Sequence, residues 1–344
     1  MHRILFFVLL SATSLAQTPE ELSDSLESGF RGLSMASEKV IWMSGRKGLV
    51  GVTTNSGAQW KWNRVKEFDQ LDFRSIHAFD AKHAVIASAG TPAVILQTAN
   101  GGKSWSSSFR SDDSAMFFDG MTFWDETHGI IFGDPVNGRM FLMETKDAGK
   151  TWQEIPFEQR PQLEKGEASF AASGTSIRTL PGGHVWVATG GTRARLFHSR
   201  DYGQHWEAIE TPMIHGEASQ GIFSLDFSDT LHGIIAGGDY LNDSLLGNNI
   251  FMTSDGGKTW MAPAHETQGY FSCVTILYPG AIIFAVGSNR FDKSTDNGNS
   301  WLTIVGDKGG NTIQKCRTSK GMAIARCGGK EGFRYEFDYV YWKK

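Results

Sequence analysis

Four carboxylates in this chain could do acid–base work: Asp134, Glu167, Glu217 and Asp239. Paired as Asp134 with Asp239, or Glu167 with Glu217, they would cleave a glycosidic bond if held at a suitable separation, one protonated and one ionised. Arg46, Arg193, Arg195 and Arg290 offer forked N–H donors that match a carboxylate or phosphate, and Tyr240 and His215 stand in the same class of polar turn. Gly166-Glu167-Ala168-Ser169 is echoed by Gly216-Glu217-Ala218-Ser219, so two of the acids share a local context. His83, His128, His184 and His232 invite a metal reading, but they recur at equivalent places in separate units, which assigns them to turns rather than to one ion. The chain has no phosphate-binding Walker loop, no His-Glu-x-x-His, no Gly-x-Ser-x-Gly and no zinc-spaced cysteines, so no cofactor or metal is expected.

The elements that must position these side chains are announced by an eight-residue word. Thr253 to Trp260 reads TSDGGKTW, and the pattern [Ser/Thr]-x-[Asp/Asn]-x-Gly-x-x-Trp recurs six times. Its acidic or amide position is Asn55, Asn100, Asp147, Asp201, Asp255 and Asp296; its last is Trp60, Trp105, Trp152, Trp206, Trp260 and Trp301. The hydroxyl and the Asp or Asn oxygen can bond nearby backbone N–H groups and close a turn. The Gly can take positive φ, and the Trp opens the next strand with a large ring to bury. Successive Trp spacings are 45, 47, 54, 54 and 41 residues.

Each unit reads as four short strands with the box between the third and the fourth. The second unit shows this as Arg74–Phe79, Ala84–Ser88, Ala93–Gln97 and Trp105–Phe109, with alternating apolar residues such as Ile76, Val94 and Leu96. First strands start near Arg31, Arg74, Gly120, Ile177, Phe223, Ser272 and Gln314. This spacing predicts an all-β chain, a seven-bladed β-propeller of four-stranded antiparallel blades, with six blades as the alternative because the seventh unit lacks a box. In that fold the boxes lie on one face. The second-to-third-strand loops and the inter-blade loops, which carry all the candidate residues above, lie on the other. The inter-blade loop from about Glu158 to Gly174 is the longest, and long loops on a rigid scaffold tend to carry function.

Residues 1–16 read as a secretory signal: Arg3, an apolar run from Ile4 to Leu10, and Ser14-Leu15-Ala16 as a small-x-small cleavage site. Residues 17–29 form a lead segment with a helix-start pattern at Thr18-Pro19, and 30–344 form a single domain of low helix content. The run is too short to span a bilayer. The net charge is −4, and −5 without residues 1–16, which argues against a nucleic-acid partner. Cys273, Cys316 and Cys327 are too few for a disulfide framework; one bridge with one thiol, or three buried thiols, both fit.

The boxes carry the Asp-box, or BNR, signature shared by sialidases, xyloglucanases, sortilin-type receptors and assembly-factor propellers. Through repeats such as Val185 to Trp206 and Gly247 to Trp260, the chain resembles the photosystem II stability/assembly factor-like propellers. That resemblance implies an exported, non-catalytic scaffold that makes protein–protein contact through a propeller face. Read with the loops above, the chain is expected to be a monomer that binds a protein or polysaccharide through the face opposite the boxes, with Arg46, Arg193, Arg195, Tyr240, Arg290 and His215 as contacts. Nothing in the sequence carries over a role tied to chlorophyll. The alternative is a sialidase-like glycoside hydrolase using Asp134, Glu167, Glu217 or Asp239. Sialidases carry an Arg-Ile-Pro start that this chain lacks, although Arg31, Arg193 and Arg290 would supply three arginines.

Overall fold

The computed structural model describes residues 30–277, 282–287, 289–304, 309–319 and 321–328 in full, and 278 and 335–341 by backbone. The expected signal and lead segment lie outside these residues. Seven antiparallel sheets follow one another along the chain. Their first strands are Gly32–Met35, Phe73–Ala78, Phe118–Phe123, Ile177–Leu180, Gln220–Phe227, Cys273–Tyr278 and Thr312–Thr318. Each of these strands packs against the next, and the last packs against the first, so they form a closed ring around a central channel. Sheets one to four and six have four strands. The fifth keeps three of its own, an isolated bridge Met252↔Met261 at its outer edge, and two short pieces, Glu167–Ala168 and Gly190–Gly191, lent by neighbouring loops. The seventh has three strands among the described residues.

The blades adhere through apolar faces. Seven clusters of buried side chains alternate with the seven sheets, each shared by two neighbours. Trp42 of blade one packs on Phe73, Ile86 and Val94 of blade two; Trp186 of blade four packs on Leu225 and Phe227 of blade five. The seam that closes the ring joins Phe30, Leu33 and Ile41 to Ala325 and Cys327, and the Asn311 side-chain amide donates to the Phe30 carbonyl at 3.0 Å. Fully burying such a side chain stabilises by roughly 1.5–3 kcal/mol. A closed ring lets every blade do so on both faces and leaves no sheet edge at a terminus. The three cysteines are free thiols, Cys273 and Cys327 within these cores and Cys316 half-buried.

All six boxes adopt one turn. The first Ser or Thr Oγ accepts from the Gly amide at 2.8–3.1 Å. The Asp or Asn Oδ1 accepts from the amide just before Trp at 2.8–3.0 Å. The Gly has positive φ, and so has the residue before it, which is Ser56, Ala148, Tyr202 or Asn297 in four boxes. Sequence reasoning assigned positive φ to the Gly alone. Here two left-handed residues in succession turn the chain, and the hydroxyl and carboxylate compensate the strain of the first. Trp152, Trp206 and Trp301 donate their indole N–H back to the box Gly carbonyl. Thr145→Val keeps the shape but leaves the Gly149 and Asp147 amides without their acceptor. It is expected to cost ~1–3 kcal/mol in urea unfolding.

The boxes pack on the first-to-second-strand turns of their own blades, as in Gly101 N–H to Lys82 O, Ala148 N–H to Thr127 O and Gly256 N–H to Leu231 O. Three of those turns are built on an aspartate, Asp80, Asp125 and Asp229, whose carboxylate takes the amides of His83, His128 and His232. His83, His128 and His232 are therefore turn residues, whereas His184 opens the strand His184–Ala188 and meets His198 Nε2 at 3.1 Å. The loops of the opposite face bond to one another, as in Val65 N–H to Gly48 O, Leu163 N–H to Gly138 O and Gly216 N–H to Gly191 O. The two sets of loops occupy opposite ends of the ring.

Candidate binding site at the channel mouth

On the face opposite the boxes, each blade has one residue just before or within the first half of its innermost strand that stands near the channel mouth. Blade by blade these are Arg31, Arg74, Asp119, Ser176, Phe223, Ser272 and Asn311. Five of them line one cavity of about 420 Å³, joined by Asp134, Tyr240 and Tyr270. In blades two, three and five the register shows why: Arg74, Asp119 and Phe223 each fall at a β-bulge, where one strand carries a residue its partner does not match. Asp134 is the extra residue of another bulge, on the adjoining strand. A bulge re-aims one side chain, so four of the cavity's polar or aromatic groups are placed by local irregularity in an otherwise regular ladder.

The floor of the cavity is the long inter-blade loop. Its segment Ser169 to Ser176 crosses the channel and is held from several blades. Arg31 Nη1 donates to Ala172 O at 3.0 Å and Arg74 Nη1 to Ala171 O at 3.3 Å. Ser173 Oγ donates to Ser272 O at 2.8 Å, and Thr175 Oγ1 meets Ser224 Oγ at 2.8 Å. Phe170 stacks on Phe223 with ring centres 3.9 Å apart, and Ala172 and Tyr270 complete the patch. Beneath this floor the channel continues as a second cavity of about 350 Å³, where Asp226 meets Lys315 and Arg178.

The mouth has three chemical sectors: cationic at blades one and two, acidic at blade three, aromatic at blades five and six. Asp119 is 1 % exposed, and neither carboxylate oxygen has a hydrogen-bond partner. Burial, reinforced by the Asp134 charge and opposed by Arg74, pushes its carboxyl well above the usual range. Asp134 is half-buried and also raised, by burial, against a hydrogen bond from the Ser169 amide. Burial and the neighbouring Arg74 lower Arg31. Burial pushes the Tyr270 phenol up, with the Arg31 charge opposing.

Of the residues singled out by sequence, Asp134 and Tyr240 line this mouth; Tyr240 is 51 % exposed. The others lie elsewhere, mostly engaged by neighbours. Glu167 is buried and saturated: Arg195 Nε and Thr189 Oγ1 donate to one oxygen, Arg195 Nη2 and the Glu164 amide to the other. That pair is a loop clamp, with neither residue presented to a ligand. Arg193 bridges Glu164 and Glu210. Arg290 is paired with Asp292 and lies over the Phe271 ring. Asp239 caps the Leu241 amide, and Gln220 donates to its other oxygen. Glu217 and His215 are exposed on the outer rim, and Arg46, exposed, faces Asp72 at 3.7 Å. Sequence reasoning reached Arg31 only as one of three arginines for the sialidase-like alternative, and passed over Arg74, Asp119 and Phe223 because it searched loops, whereas these stand within strands; Tyr270, in the loop before Cys273–Tyr278, was also passed over.

The family model described as "Photosynthesis system II assembly factor YCF48" matches residues 108–289, more than half of the chain. The chain belongs to the YCF48 family. Among solved structures, one described as YCF48 bound to D1 peptide aligns over 92 % of this chain and 94 % of its own, with TM-score 0.64 and 15 % identity. YCF48 from Cyanidioschyzon merolae covers 90 % and 96 %, with TM-score 0.58 and 15 % identity. The WD40 β-propeller domain of Doa1 also aligns, at TM-score 0.61 and 11 % identity over 91 % and 93 %. At these identities the likeness to each structure is one of fold. A sequence search of curated proteins finds no match.

Proposed function

We propose that this YCF48-family chain is an exported, non-catalytic scaffold that holds an extended polypeptide segment across the mouth of its channel. The observation that carries the reading is the mouth itself: a concave site with arginine, carboxylate and aromatic sectors over a closed floor. A closed floor prevents threading, so an occupant must lie across the ring, where a peptide's backbone and alternating side chains meet all three sectors. A relative whose structure is described as bound to a D1 peptide supports a polypeptide as the occupant. Glycoside hydrolysis receives less support, because three of the four candidate carboxylates lie outside the mouth and Glu167 is fully engaged.

Tyr240 offers a direct test, being exposed at the rim and free of the inter-blade cores. Peptides selected on the immobilised chain from a random library are expected to lose about tenfold or more in affinity with Tyr240→Ala, as aromatic anchors commonly do. Lys258→Glu, on the box face, should leave binding unchanged. Equal losses in both variants, or loss only with Lys258→Glu, would remove the mouth as the site. Export is checked separately by fractionating cells that express the full chain and sequencing the amino terminus of the recovered protein; a cut after Ala16 is expected.

A further inference from the structure

Asp119 is the group in this molecule whose surroundings least explain it. It is buried at the head of the blade-three inner strand, and both of its oxygens lack a partner. The cations nearby are turned elsewhere. Arg74 donates through Nε to Asp72 at 2.8 Å and through Nη1 to the floor, and Arg31 donates to the floor at Ala172. Asp134, whose Oδ1 is also unpartnered, lines the same cavity, and its charge adds to the rise of the Asp119 carboxyl. Both are presented by bulges on hydrogen-bonded neighbouring strands. Gly133, between those bulges, lets its strand approach the Phe117 carbonyl so closely that a Cβ there would lie 1.9 Å from it. Two special backbone features thus aim two acids at one cavity and leave three oxygens unused. A buried polar atom without a partner is costly to keep.

We infer that Asp119 and Asp134 form a subsite for one primary ammonium group of the occupant. The inference rests on the polypeptide reading above and says which of its groups enters the acidic sector. An ammonium is a compact cation with three donors, which suits two carboxylates that line one cavity. Among the described residues no group of three or more His, Cys, Asp or Glu is clustered as a metal site would require. An ammonium can come from a lysine side chain or from a chain's amino terminus, and the probes separate the two.

The test uses the full chain and three small probes: Nα-acetyl-lysine methylamide, its norleucine counterpart, and glycinamide, with affinities read by calorimetry or ligand-observed NMR. At least one ammonium probe is expected to bind about tenfold or more tighter than the norleucine probe, the scale of one lost charge-assisted contact. The tighter of the two identifies the source as a side chain or a terminus. Asp119→Asn, isosteric with the native residue, should erase that preference while leaving the circular dichroism spectrum unchanged. Equal binding of all three probes, or a preference that survives in both Asp119→Asn and Asp134→Asn, overturns the subsite. Library peptides that need Tyr240 but carry no ammonium dependence would overturn it while leaving the polypeptide reading intact. Ammonium preference without any peptide binding would do the reverse.

Discussion

Asp226→Ala is expected to destabilise the ring by about 3–5 kcal/mol, the usual consequence of removing one partner of a buried ionic cluster. Asp226 stands on the inner strand of blade five and is 3 % exposed. One oxygen faces Arg178 of blade four at 3.1 Å, and the other meets Lys315 of blade seven. Between those blades it also accepts the Ile276 amide of blade six at 2.7 Å. A single carboxylate therefore joins four consecutive inner strands across the channel, and its loss leaves two cations facing each other. Burial alone would raise this carboxyl, but the Lys315 and Arg178 charges outweigh it and hold the carboxyl below its usual range. Burial lowers Lys315 in turn, with Asp226 opposing and Arg178 adding to the fall, as expected when two cations share one anion. For a carboxyl lowered by folding, the stabilisation is complete above the unfolded value near ~3.9 and disappears as pH falls through the folded value. Chemical unfolding at pH 7 and at successively lower pH should show the wild type and Asp226→Ala converging in acid. Equal stability at pH 7 would mean the cluster contributes nothing to ring closure.

Asp119→Asn should act in the opposite direction and make the unoccupied protein more stable. Folding raises this carboxyl, so the unfolded chain releases its proton first and stability falls as pH climbs from the unfolded value through the folded one. The amide escapes that penalty. A gain of roughly 1–3 kcal/mol at neutral pH, the scale of one unsatisfied buried group, should shrink to nothing below about pH 4, where the unfolded carboxyl is itself protonated. Thermal melts of both proteins across that range read the difference directly. A variant less stable than wild type at pH 7 would show that Asp119 is compensated in the free protein. Paired with weaker ligand binding, the expected gain would be the signature of a residue kept for recognition at the expense of the fold.

The ring was legible in the sequence because its punctuation repeats. Six boxes fix where third strands end, and each box Trp, buried at Trp60 and Trp152 and half-buried in the other four, packs beside the same turn, so one physical solution recurs. Ring closure was less legible: it depends on Phe30 meeting Ala325 and Cys327, a contact between distant segments with no box to mark it. The site was read only in part. Tyr240 was reached because it stands in a loop, where polar residues stand out, and Asp134 because its place beside Pro135 read as a loop although it is the bulge residue of Gly129–Val136. Asp119 and Arg74 sit inside strand patterns, and only a bulge turns them to the mouth; a one-residue bulge leaves little trace in apolar periodicity. Arg195 and Glu167 were singled out for the converse reason. As loop charges they resembled ligand contacts, yet the long inter-blade loop folds back and pairs them with each other.

The account turns on recognition at the end of the ring away from the boxes. A photoreactive phenylalanine analogue placed at position 240, on the mouth rim, and in a second protein at position 231, on the exposed box-side turn, tests this most directly. With library-selected peptide bound, irradiation should join peptide to the first protein and leave the second unlabelled. Cross-links formed at 231 and absent at 240 would place the binding surface on the wrong end and contradict the account.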